Sequence, residues 1–226
     1  MLATHLDPLA ASWFSLIAIA SMLLSFVMLG SRWLKNYLYA FGAQSWLIAL
    51  LSAMVGYYGH YPELYLIAVL TAFFRGLFLP YLVLRILRRL RVDREIHLSI
   101  RPSTSLVIGA GAVVFALIIA YRIANAVGFP QNIVVLALTV MFTMKLVGFL
   151  MLSIRYEAIS QILGLLVLEN GIFLGSQILV PGMPTLIEMV ILFDLLVAVA
   201  CFGVLVRYLM LHVGSTSTLQ LKKLVG

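Results

Sequence analysis

Apolar runs of about 20 residues, separated by short turn signals, recur from one end of this chain to the other. That repeat leaves few folds open. At 1.5 Å per residue a helical run of this length spans the ~30 Å hydrocarbon core of a bilayer. The runs show no strict alternation of apolar and polar residues, so they are read as helices rather than strands. Inside lipid every backbone group needs an internal partner, which a helix supplies. Hydrophobic residues make up 64% of the chain and charged ones 10%, with a mean hydropathy of +1.13. The longest polar stretch, near 85–104, is a loop of about 20 residues, so nothing is left for a globular domain.

The expected fold is an all-α integral membrane protein with seven spans, at about 12–31, 37–58, 64–86, 104–124, 132–154, 157–180 and 185–210. Breaks fall at Gly59 and Pro62, at Pro102, at Gly128 and Pro130, and at Pro181 and Pro184. The turn around Ser153–Glu157 has no such marker and must be tight. The first run, Leu16 to Gly30, resembles a signal-peptide core in length, but Arg32 and Lys35 follow it, and it is read as a retained span. Three segments result: 1–103, three spans with a basic loop at 85–103; 104–131, the fourth span and an outer loop; and 132–226, three more spans.

Basic residues set the expected orientation. An odd number of spans puts the termini on opposite sides. The C-terminal side collects Arg32, Lys35, Arg85, Arg88, Arg89, Arg91, Arg94, Arg101, Arg155, Arg207, Lys222 and Lys223, out of 15 Lys and Arg in all. Arg122 stands on the other side. By the positive-inside rule the C-terminus is cytoplasmic and the N-terminus outside. The net charge of +7 is thus a topology signal. The run RILRRLR at 85–91 can also meet anionic lipid or an acidic partner. Aromatic interleaving and a docking module are absent, so no nucleic-acid partner is expected.

The single cysteine, Cys201, excludes an internal disulfide and a cysteine-cluster metal site. The four histidines, His5, His60, His97 and His212, fall at span ends or in loops, where they could not hold a haem between helices. No metal or cofactor ligand set is expected in this chain.

Four ionisable residues fall inside the apolar runs: Arg75, Lys145, Glu169 and Asp194. A charge at the bilayer centre costs roughly 2.5–3.5 kcal/mol on insertion scales, so such groups mark ion pathways or proton relays by default. Arg75 lies ten residues before Arg85, Lys145 ten before Arg155, Glu169 fourteen after Arg155, and Asp194 thirteen before Arg207. At 1.5 Å per residue all four sit roughly 15–20 Å from the basic side, in one layer near the midplane. The alternative is static pairing, Glu169 with Lys145 or Asp194 with Arg75, as glue between helices. Asn170, Gln161, Pro80 and Glu188 are candidate supporting residues. Pro80 frees a carbonyl and can kink its span. Glu188, about three residues into its span, reaches the outer interface, and Arg122 is read as a snorkelling anchor. Asn170, Gln177, Gln44 and Asn125 serve either as interhelical hydrogen-bonding groups or as functional ones. Gly171 and Gly175 match a small-xxx-small packing face.

The pattern Arg155-x5-Gln161-x2-Gly164-x4-Glu169-Asn170-Gly171 resembles a membrane helix of the hydrogenase-4 component E family. The last span, with Asp194, Arg207 and a short polar tail, resembles that family's end, and Arg75 to Pro80 resembles its third span. Ala43-Gln44-Ser45 also fits. The last three spans are similar to the K subunit of respiratory complex I and the C subunit of Mrp-type antiporters, which carry a glutamate on their second helix and another on their third. Glu169 matches the first, and Asp194 the second in placement, with Asp for Glu. The first four spans have no counterpart in the K subunit.

The resemblance implies a subunit in the membrane arm of a group 4 hydrogenase or formate hydrogenlyase-type complex. It would lie beside antiporter-like subunits in a bacterial or archaeal inner membrane and contribute buried charges to proton or sodium translocation. It would not itself be an enzyme. Nickel–iron and iron–sulfur centres are left to partner subunits. Two other readings stand beside it. One is a stand-alone proton-coupled transporter, which needs a repeat between spans one to three and five to seven, and the chain offers only the Arg75/Lys145 echo. The other is a passive scaffold for larger subunits. A retinal-type receptor is excluded, because its lysine belongs on the last helix.

Overall fold

A computed structural model describes residues 8–90, 99–128, 131–156, 158–179 and 203. These residues form α1 (Pro8–Gly30), α2 (Leu34–Gly59), α3 (Glu63–Leu70), a π-helical segment (Thr71–Phe78), α4 (Leu79–Leu90), α5 (Pro102–Val127), α6 (Gln131–Ile154) and α7 (Ala158–Leu179). α3, the π segment and α4 run on as one rod. Six of the expected spans are therefore helical close to their expected limits. The seventh, 185–210, with Glu188 and Asp194, lies outside the described residues apart from residue 203.

Punctuation in the sequence sets these limits. His60 closes α2 in the left-handed region at φ 56, and its N–H donates to the Gly56 carbonyl. Pro102 is the first residue of α5, where a missing N–H has no helical partner to lose. Gly128 ends α5 at φ 70 and donates to the Ala124 and Asn125 carbonyls. α6 and α7 are separated by residues 155–157, so the unmarked turn is as tight as expected.

Five helical stretches are long and apolar enough to cross a membrane: Ala10–Gly30, Leu34–Gly59, Glu63–Arg85, Pro102–Val127 and Ile133–Ile154. α7 carries the polar residues Gln161, Glu169, Asn170 and Gln177, and Asn170 and Gln177 are fully buried against other helices. Large apolar side chains such as Val107, Val114, Phe115 and Ile118 of α5 lie exposed on the outside of the bundle. These features are compatible with a multi-pass membrane protein.

α2 packs against α1, α3, the π segment, α4 and α7, while α6 packs against α1, α5 and α7. The interior is divided along its length. One apolar cluster holds Met28, Leu29, Tyr37, Phe41, Leu79, Val147, Met151 and Leu166. The other holds Phe14, Ile17, Ile48, Leu51, Leu64, Val140, Met144 and Phe173. Between them, in sequence on α1, α2, the π segment and α7, come the buried polar residues Ser21, Ser25, Gln44, Ser45, Thr71, Arg75 and Asn170. A polar layer thus crosses the bundle between two apolar ones.

α6 and α7 pack closely, and glycine makes the approach possible. A Cβ on Gly148 would sit 2.7 Å from the Gly164 carbonyl oxygen and 2.8 Å from the Leu168 nitrogen. Both are backbone atoms, which do not swing aside. On the expected packing face, a Cβ on Gly171 would lie 2.8 Å from Met144 Cβ and one on Gly175 would lie 2.5 Å from Met141 Sδ, both on α6. Gly148→Ala is therefore expected to destabilise the purified protein by about 1–3 kcal/mol, the usual range for overpacking. Thermal denaturation in detergent would show this as a lower midpoint, and an unchanged midpoint would contradict the seam.

Candidate functional site

Arg75 lies in the middle of the π segment, with 2% of its side chain exposed. The Leu79 N–H donates to the Phe74 carbonyl, five residues back, so the helix is wider here than an α-helix. Pro80 follows at once. In an ordinary helix its ring would press on the carbonyl four residues earlier, that of Gly76. The wider turn just before Pro80 accommodates this locally and rotates Arg75 relative to the helices on either side. α2 comes close to the same turn. A Cβ on Gly76 would lie 3.0 Å from Trp46 Nε1, and one on Gly42 would lie 3.3 Å from the Gly76 oxygen.

Two nitrogens of the guanidinium donate to neighbouring residues of α7. Nη1 donates to Asn170 Oδ1 at 2.7 Å, and Nη2 donates to Glu169 Oε2 at 3.2 Å. Glu169 is 16% exposed. Asn170 Nδ2 then donates to Gln44 Oε1 at 2.9 Å. Gln44 Nε2 donates to the Ser21 carbonyl at 2.8 Å and to Ser25 Oγ at 2.7 Å. One connected network therefore joins α7, the π segment, α2 and α1. Buried charges and amides are tolerated when partnered in this way. A second link between α7 and α2 lies further along, where Gln177 Nε2 donates to Ser52 Oγ.

Arg75 pairs with Glu169, a pairing not weighed from the sequence, while the alternative of Asp194 with Arg75 lies outside the described residues. Lys145 is half-buried on α6 and makes no ion pair among the described residues. Its backbone nitrogen lies 3.4 Å from where a side chain on Gly171 would begin, so it is level with the Glu169–Gly171 stretch. Gln161 stands apart from this group. Its Nε2 donates to the Arg155 carbonyl at 2.7 Å and ties down the α6–α7 turn. Pro80 packs beside Gly42. Glu188 and Asp194 lie outside the described residues.

Arg155 differs from expectation. Counted as a loop charge, it is 1% exposed. Its guanidinium lies 4.7 Å over the Tyr37 ring, and Nη2 donates to the Met28 carbonyl at 2.7 Å. That carbonyl belongs to the last turn of α1, where carbonyls lack helical donors and the helix dipole favours a cation. Arg155 is thus a buried cap for α1 and reports less on topology than a solvated charge would.

Ser21 and Ser25 were not singled out from the sequence. The available signal was a pair of hydroxyls four residues apart in an apolar run, on one face of a helix.

No family model matches the chain, and neither does any solved structure. Over 159 residues it is 30% identical to the uncharacterized protein Rv0085 of Mycobacterium tuberculosis, an alignment covering 70% of each protein. The chain belongs to the family of that protein. The relative's name carries no activity, substrate or assembly, so the chemistry of the site rests on this chain's own residues.

Proposed function

We propose that this chain is a seven-span membrane-arm subunit of a redox-driven, proton- or sodium-translocating complex of the group 4 hydrogenase and complex I type. It supplies buried charges to the ion pathway, and the electron-carrying centres belong to partner subunits. The N-terminus faces outward and the C-terminus the cytoplasm of a bacterial or archaeal cell. Glu169 and Asp194 exchange protons, while Arg75 and Lys145 set the local field and respond to each change of charge.

One observation carries this reading. An ion pair between buried Arg75 and part-buried Glu169 sits in a polar layer between two apolar clusters, on a π-helical turn. Packing alone would favour apolar residues there, because a buried ion pair seldom stabilises more than the hydrophobic residues that could replace it. π turns occur frequently at functional sites. Exposed Tyr57, Tyr58, Tyr61 and Tyr65 around the α2–α3 turn suit an interfacial aromatic belt.

The protein is expected to co-purify in mild detergent with at least one much larger antiporter-like subunit. On this reading the charged layer is part of a pathway that redox centres in partner subunits drive. Recovery as a monomer that moves a substrate across liposomes would overturn the assignment and favour a stand-alone transporter.

A further inference from the structure

The network around Arg75 has a direction. Arginine only donates, so the atom of Asn170 facing it must be the carbonyl oxygen. The Asn170 amide nitrogen is then turned toward Gln44, whose own oxygen accepts it. The Gln44 nitrogen is left to donate, and it meets two acceptors, the Ser21 carbonyl and Ser25 Oγ. Every donor points the same way, from the π segment through α7 and α2 to α1. Gln44, Asn170, Ser21 and Ser25 are all fully buried, so no bulk water competes for these bonds.

We infer that Gln44 and Asn170 are positioning residues, which hold Arg75 in place whether or not Glu169 carries its charge. The bond from Arg75 to Asn170 is the shorter of the two, at 2.7 Å against 3.2 Å for Glu169. Asn170 is itself locked by Gln44, whereas Glu169 is the most exposed member of the group. Arg75 is the fixed post, and Glu169 is the group whose charge changes. The chain of amides is also an anchor rather than a proton wire. A side-chain amide passes a proton on only through an unfavourable imidic-acid form, so protons reach Glu169 from its more exposed side and not through Gln44. The importance of this for ion movement rests on the reading of Glu169 as an exchanging carboxylate. The anchoring of Arg75 does not.

Nitrogen-15 magnetic resonance of the purified full chain in lipid nanodiscs, with labelled arginine, tests the anchor without any measurement of pumping. The Arg75 Nη signals are those absent from Arg75→Lys, and the buried Arg155 serves as an internal control. Glu169→Gln is expected to move one Arg75 Nη signal and leave the Asn170-bonded one in place. Gln44→Leu is expected to move or broaden that second signal, although Gln44 does not touch Arg75, with Arg155 unchanged. Gln44→Glu keeps an oxygen toward Asn170 and is expected to restore it. The inference is overturned if Glu169→Gln displaces both Nη signals, or if Gln44→Leu leaves both where they were. If Gln44→Leu does not fold, the Glu169→Gln spectrum decides alone. A preserved anchor in a chain that takes no part in ion movement would remove the proposed function and leave this inference standing.

Discussion

Arg75→Leu is expected to be the most damaging single substitution among the described residues. It leaves the Glu169 carboxylate and the Asn170 carbonyl in the interior without their donor. Breaking a buried ion pair from one side typically costs about 3–5 kcal/mol. An orphaned buried acceptor adds roughly 1–3 kcal/mol. Much of the stability of an ordinary domain is of that size. The variant should therefore fail to assemble, or elute as aggregate on detergent chromatography. Arg75→Leu combined with Glu169→Leu should recover part of the loss, because removing both charges leaves neither unpaired. Lys145→Met should not rescue, since Lys145 is not the partner of Glu169. A stable Arg75→Leu monomer would show that the layer contributes little to folding.

Glu169→Gln should have the opposite profile. Glutamine keeps the size of the side chain and an oxygen for Arg75, and the Asn170 anchor stays whole. Assembly should be normal, with thermal stability close to that of the parent. If Glu169 exchanges protons, redox-driven ion uptake into vesicles should fall to the level of passive leak, because the titrating group is gone. A variant that assembles and pumps normally would make the chain a scaffold. One that does not assemble would make Glu169 structural glue.

Much of the architecture was legible in the chain itself. Pro102 and Gly128 mark helix ends because proline lacks an N–H and glycine adopts positive φ, which are local properties, whereas at the Gly59–Pro62 turn it is His60 that takes the positive φ. The α6–α7 seam could be suspected from Gly171 and Gly175, but the opposing Gly148 and Gly164 became meaningful only when the two helices were placed together. Gln44 looked like any interhelical amide. Nothing in its neighbours along the chain says that it locks Asn170, which lies 126 residues away.

The sequence by itself determined position along each helix axis. Rise per residue is constant at 1.5 Å, so counting from the basic loops placed Arg75, Lys145 and Glu169 at one level, and the structure sets Lys145 beside Gly171 and Arg75 against Glu169. Position around each axis was decided by the tertiary structure. It depends on which face each helix packs and on the π turn before Pro80, which rotates Arg75 relative to the helices on either side. A shift of one residue changes depth by 1.5 Å but turns a side chain by about 100°, so depth survives small errors in reading and partner choice does not. The pairing of Arg75 with Glu169, and the burial of Arg155 over Tyr37, follow from packing among helices far apart in the chain.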